Sequence, residues 1–309
     1  MWTINETTPK DMTLKELLAY WRLPKGLVYT LRSQKQILVN GEYHHLQTLL
    51  TKGQVVSLNF SAQDFASRNS NYSPDVSRQL QILFENRDLV VIDKPAGIKS
   101  HPNQKNETGT VMNYLTSQLG HAFMVHRLDQ ETSGAMIVAK NPLVVPVLNQ
   151  FIAQKQIKRN YLAVVSGHFK STKGTFKQPI GLDPQNPNLR AVNGLNSQNA
   201  CSHYQVLATN ANYSLVYLTL ETGRTHQLRV HLQANGHPIL GDPLYGQEVH
   251  AHMFLHGLHQ GLILPFSFER KNIFAPPPAY FSEAFPQMTE LDWTKLYGNS
   301  GIIIEENAL

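Results

Sequence analysis

A second cysteine is missing: Cys201 stands alone in 309 residues, so no internal disulfide can staple the fold and no thiol pair can begin a Cys-only metal site. The sequence makes it a structural thiol. Also lacking is an apolar run long enough to cross a bilayer. The opening MWTINETTPKDMT is polar and carries both signs of charge, unlike a secretory leader. The expectation is a cytoplasmic protein with no membrane role. Acids are nearly absent from the middle of the chain. Between Thr132 and Leu220 the only carboxylate is Asp183, against Lys140, Lys155, Lys158, Arg159, Lys170, Lys173, Lys177 and Arg190. Such a surface neutralises phosphates and gains affinity by releasing counterions, which favours a nucleic-acid partner over a merely solvated basic face.

What remains is ordinary globular material, 41% hydrophobic and 16% charged, which excludes wholesale disorder. Residues 12–60 form a module of their own. MTLKELLAYWRL has helical apolar spacing, and LPKGLVYTLRSQKQ predicts a second short helix after Pro24. ILVNGEYHHL alternates around the turn pair Asn40-Gly41, and GQVVSLNF returns as a strand. The polar stretch SAQDFASRNSNYSPDVS is a linker. The chain therefore divides into an N-terminal module with its linker, 1–75, and a larger domain, 76–309, each with its own core.

In the larger part, LQILF and LVVIDK predict neighbouring strands, and GTVMNYLTSQLG a helix closed by Gly120. MIVAK, YLAVVSG and SLVYLTLETG predict further strands. LVVPVLNQFIAQKQI predicts a helix with Pro146 in its first turn, and THQLRVHLQANG one ending at Gly236. The class is mixed α+β, without the rhythm of a doubly wound parallel sheet.

Chemistry concentrates in three segments. In VHRLDQETSG the carboxylate of Asp129 lies in a loop at a strand edge, between Arg127 and a Ser-Gly turn, where it can serve as nucleophile or base. Alone, such an aspartate is more simply a salt-bridged turn residue. ETGRTHQLRVHL places Arg224, His226, Gln227, Arg229 and His231 at a strand-to-helix junction, and Arg229 is the natural guanidinium to orient Asp129. IKRNYLAVVSG puts Tyr161 after a basic patch, where its ring can stack on a base, although a lone strand tyrosine is ordinarily core. A competing reading comes from VHAHMFLHGLH, whose His250, His252, His256 and His259 have spacings that can converge on zinc; a helix and turn bearing ordinary polar histidines explains them more simply.

HRLDQETSG, RNYLAVVSG, GRTHQLRVHL and GHPILGDPLYG occur in one order, with LFENRDLVVIDKPAGIKSHP upstream and FAPPPAYF downstream. Together they resemble the RluA-type family of RNA pseudouridine synthases over roughly residues 80–281. The resemblance implies a mixed, largely antiparallel sheet with flanking helices and a central cleft. The implied partner is ribosomal or transfer RNA, with no cofactor, metal or obligate protein partner. It also implies catalytic roles for Asp129, Tyr161 and Arg229, and entry of Arg127 into the RNA stack where the target uridine has flipped out. Lys158, Arg159, Arg224 and His226 complete the candidate RNA contacts; Arg159 stands where the family commonly has lysine. His126 and Ser133 are expected to shape the loop. LPKGLVYTLRSQKQILVNG resembles the S-four-like RNA-binding module, without its usual arginine-aspartate start.

Overall fold

The computed structural model describes residues 1–65 and 72–290; part of the expected linker and residues 291–309 of the expected larger domain lie outside them. The N-terminal module is a four-stranded antiparallel sheet in the order Trp2–Thr7, Val55–Phe60, Ile37–Val39, Glu42–Tyr43. Asn40 and Gly41 both have positive φ, 50° and 89°, the geometry that a two-residue hairpin of the right twist requires. The helix Leu14–Tyr20 starts at a reciprocal cap between Thr13 and Glu16 and buries Leu14, Leu17 and Leu18; Lys25–Ser33 follows Pro24. The first strand lies outside the 12–60 segment read from the sequence. It is an edge strand in which only Ile4 is fully buried, so its apolar alternation is faint.

Among the described residues the larger sheet has ten strands. Its main path runs Lys173–Phe176, Ser202–Thr209, Tyr213–Leu220, Lys158–Ser166, Leu255–Ile263, Ser133–Ala139, Leu89–Lys94 and Gln81–Glu85. Every pairing along it is antiparallel except one, where Ser133 and Gly134 run parallel to His256 and Gly257. This seam explains the glycine of the DQETSG run. Gly134 has φ 107°, and a Cβ there would lie 2.3 Å from the Gly257 carbonyl oxygen, closer than any side chain tolerates. Helix Val111–Leu119 ends at Gly120 with φ 80°, helix Val144–Ala153 carries Pro146 in its first turn, and helix Gln227–Ala234 precedes Gly236. The small sheet of Arg190–Val192, Ile180–Leu182 and Leu195–Gln198 has no counterpart in the sequence reading.

Alternate residues of Leu89–Lys94 face two cores: Leu89 and Val91 one, Val90 and Ile92 the other. The first of these is continuous with the interior of the N-terminal module, joining Leu17, Trp21 and Phe60 to Phe123, Phe151 and Phe266. Trp21 meets Phe266 edge-on and Trp2 meets Phe123, while Arg87 reaches the Asn5 carbonyl and Glu6. The expectation of separate cores on either side of the linker is therefore corrected.

The histidine segment is also corrected: Leu255–Ile263 is a strand, not a helix and turn. His256 and His259 are buried in it. The His256 Nδ1 lies 2.9 Å from the Ser133 hydroxyl and its Nε2 donates to the Ala275 carbonyl, whereas His259 lies 2.9 Å from the Asn160 amide. His250 and His252 are exposed, so the four do not converge on one point. Burial pushes both buried imidazoles down to about 4. They stay neutral in the folded state while the unfolded chain protonates near its ordinary value, so their stabilising contribution is complete above about pH 6.5 and falls as pH drops toward about 4. At about pH 5.5 the two together should cost roughly 3 kcal/mol, read as a falling midpoint of thermal unfolding between neutral and mildly acidic pH. A flat profile across that window contradicts it.

Candidate active site

Asp129 stands on the loop that enters the Ser133–Ala139 strand, and this loop is fixed almost entirely through its backbone. The Lys94 ammonium donates to the carbonyls of Pro95, Ile98 and Gln130 at 2.8, 2.7 and 3.0 Å, matching its three protons to three acceptors. Ser100 Oγ donates to the Leu128 carbonyl at 2.6 Å and accepts from the Leu128 amide, and Thr132 N donates to the Asp129 carbonyl. His126 Nε2 accepts from the Ile137 amide. Its burial, reinforced by Arg159, pushes its pKa down to about 3, which keeps that nitrogen an acceptor. His126 thus ties the loop to the strand, whereas the Ser133 hydroxyl is turned to His256 on the neighbouring strand.

Asp129 lines a cleft of ≈ 380 Å³ and, with Arg127, Leu128, His226 and Arg229, also lines a second hollow of ≈ 320 Å³, room for a nucleoside-sized ligand. Arg229, on the first turn of the Gln227–Ala234 helix, donates from Nη1 to Asp129 Oδ2 at 3.2 Å. The guanidinium is aimed by a residue the sequence reading missed. Asp242 accepts from its Nε and Nη2, both at 2.7 Å, and the Asp242 side chain is fully buried. The fork of donors is therefore filled on one edge and directed at Asp129 on the other. Tyr245 is a second such residue. Its ring lies 5.1 Å below the Arg229 guanidinium, and its hydroxyl lies 2.8 Å from His226 Nδ1.

Tyr161 and Arg159 line the same cleft, on the same face of the Lys158–Ser166 strand. Tyr161 is 4% exposed, and burial raises the pKa of its phenol, so the ring is neutral at physiological pH. Arg159 is 7% exposed, yet its Nε has no hydrogen-bond partner among the described residues. A buried donor left open beside a cleft is one that a ligand can satisfy. Arg127 and Arg224 are exposed at the rim, Arg224 donating to Asn199 O and Gln198 Oε1. His226 has left-handed backbone, φ 57°, and its Nε2 lies 4.0 Å from Asp129 Oδ2; burial holds its pKa below the usual value although Asp129 opposes this. Lys158 is not brought in: strand alternation turns it away from Arg159, to a surface shared with Lys155 and His203.

Asp242→Asn should free Arg229 from its bidentate partner. Breaking a buried pair costs about 3–5 kcal/mol, and loss of aim at Asp129 is worth about 100-fold in turnover. Thermal unfolding and single-turnover rates on the same protein check this; native values for both contradict the aiming role.

The chain matches the family described as RNA pseudouridylate synthase over residues 88–234, and the RluD ribosomal pseudouridine synthase N-terminal domain over residues 2–56. Relatives extend over nearly the whole chain. The uncharacterized RNA pseudouridine synthase YhcT of Bacillus subtilis is 37% identical over 294 residues, 87% of this chain and 94% of that one. The ribosomal large subunit pseudouridine synthase D of Zymomonas mobilis is 32% identical over 300 residues, 87% and 94% of the respective chains. Among solved structures, human RNA pseudouridylate synthase domain containing 1 aligns with a TM-score of 0.57 and 27% identity, covering 67% of this chain and 86% of that one. The chain belongs to the RNA pseudouridine synthase family and has its α+β fold. It is an isomerase that converts uridine in RNA to pseudouridine.

Proposed function

We propose that Asp129 is the catalytic carboxylate and that the substrate is large-subunit ribosomal RNA, modified in the cytoplasm. The observation that carries the first part is the Asp242–Arg229–Asp129 chain at the base of the cleft, which pairs one carboxylate with a fixed guanidinium at the edge of a nucleoside-sized space. The reaction breaks the bond from N1 of uracil to ribose C1′, turns the base and forms a bond from C5 to C1′; the proton leaves C5 and N1 gains one. Asp129 either adds covalently to the nucleoside or removes a ribose proton to give a glycal, and both routes begin from the ionised carboxylate. Tyr161 stacks on the detached uracil, and the open Nε of Arg159 takes a phosphate or uracil oxygen.

The reacting bond is inaccessible inside a stacked helix, so the target base must flip into the cleft, and Arg127 at the rim fills the space it leaves. Large-subunit RNA is favoured over transfer RNA by the N-terminal match and by the relatives' names. Among the described residues no helix is long and apolar enough to cross a membrane. Mapping pseudouridine in ribosomal and transfer RNA from cells with and without this protein tests the assignment. Loss at a large-subunit site is expected, and loss confined to transfer RNA contradicts it.

A further inference from the structure

Away from the cleft, the start of the Ser202–Thr209 strand and the end of Tyr213–Leu220 bring three different ligand types together. The ladder pairs Ser202 with Leu220 and His203 with Thr219, and the Glu221 amide donates to the Cys201 carbonyl at 3.2 Å. Cys201 and Glu221 therefore face each other just beyond the last pair, and the period of two puts His203 on the same face as Cys201. The Cys201 sulfur lies 3.8 Å from His203 Nε2, which lies 2.5 Å from Glu221 Oε1; all three ligand atoms fall within 4.8 Å of one another.

We propose that Cys201, His203 and Glu221 form a binding site for a thiophilic divalent cation of the zinc class. A tetrahedral zinc about 2.3 Å from sulfur and about 2.0 Å from nitrogen and oxygen spaces its ligands roughly 3.3 to 3.6 Å apart. Small side-chain rotations bring the three atoms to that spacing, and a water completes the fourth position.

The surroundings of the three ligands are arranged for this. Thr175, on the neighbouring strand, bonds His203 Nδ1 at 2.9 Å, fixing the ring with Nε2 turned toward Cys201 and Glu221, as outer-shell partners of metal-bound histidines do. Cys201 is held at both backbone ends, its amide donating to Thr222 Oγ1 and its carbonyl accepting from Gln227 Nε2. Glu221 is paired with Lys155 and bonded to His203, which holds its carboxylate beside the Cys201 sulfur. Lys155 is a half-exposed surface side chain that can swing away as a cation enters. The thiolate and not the thiol is the ligand, so binding displaces the thiol proton to solvent as the sulfur–metal bond forms, and affinity rises with pH. The ion joins the start of one strand, through Cys201 and His203, to the end of its neighbour, through Glu221, and takes no part in the carboxylate chemistry.

Cobalt(II) titrated into the full-length protein at mildly alkaline pH tests the site. One equivalent should bind with a near-ultraviolet thiolate-to-cobalt charge-transfer band and the visible bands of tetrahedral coordination, and zinc should then abolish both. Cys201→Ser should remove the charge-transfer band, and His203→Asn or Glu221→Gln should weaken binding by at least about tenfold, with the metal-free melting point of each variant unchanged. A spectrum without thiolate bands, or affinity unchanged in Cys201→Ser and His203→Asn, means that other surface histidines take the ion and overturns the proposal.

Discussion

Asp129→Asn should give a protein that folds, binds RNA and makes no pseudouridine. The substitution keeps volume and an acceptor oxygen but removes the charge, and an amide is neither a useful nucleophile nor a useful base, so turnover should fall by 10⁴-fold or more, on the order of what loss of a nucleophile costs. Folding should survive because Arg229 keeps both bonds to Asp242; the cost should therefore fall short of the about 3–5 kcal/mol of an orphaned buried charge. RNA affinity should persist because phosphates are met by cations elsewhere, with Arg127 and Arg224 at the rim. Binding by filter retention, folding by thermal melt and product by nucleoside chromatography are read on the same preparation. Measurable turnover by a folded, uncontaminated variant would remove Asp129 from the chemistry.

Deleting residues 1–75 should unfold or aggregate the remainder. Taken as a separate module behind a polar linker, this segment looks dispensable to folding. The shared core reverses that expectation, because deletion uncovers Phe123, Phe151 and Phe266 and removes Trp2 and Trp21 from them. Each large apolar side chain returned to water costs about 1.5–3 kcal/mol, and several exceed the whole stability of a typical domain, about 5–15 kcal/mol. Trp21→Ala in the intact chain is the milder version and should cost about 3–5 kcal/mol. Gel filtration and thermal melts of the truncated protein decide the matter. A monomer melting like the full chain contradicts the shared core.

The parts of the fold legible in the sequence were those with strong local signals. Asn40-Gly41, Gly120 and Gly236 marked a turn and two helix ends because each needs positive φ. The run from Leu89 to Ile92 read correctly as strand although it faces two cores. Leu255–Ile263 was misread because its apolar residues fall three and four apart while His256, His259 and Gln260 occupy interior positions. Hydrogen bonds hold them there, His256 to Ser133, His259 to Asn160 and the Gln260 Nε2 to the Ala135 carbonyl, and no pattern of hydrophobicity reports such partners. Asp129, Tyr161 and Arg229 line one cleft, with Arg229 bonded to Asp129. Asp242 lay in a recognised motif without a role, since its pairing with Arg229 spans thirteen residues and a turn. One local sign was present: Asp242 Oδ1 also accepts from the amides of Leu244 and Tyr245, a turn-forming habit of aspartate. Lys158 was grouped with Arg159 by adjacency, which on a strand places two residues on opposite faces.

The isomerisation itself supplies the most direct test. Because C5 of uracil exchanges its hydrogen for the bond to ribose, RNA carrying tritium at C5 of uridine should release it to water when treated with the purified protein. Release should stop at a small whole number of uridines per large-subunit RNA, leave the strand uncut, and vanish with Asp129→Asn. No tritium release from ribosomal or transfer RNA, or equal release by the Asp129→Asn protein, would contradict the account at its centre.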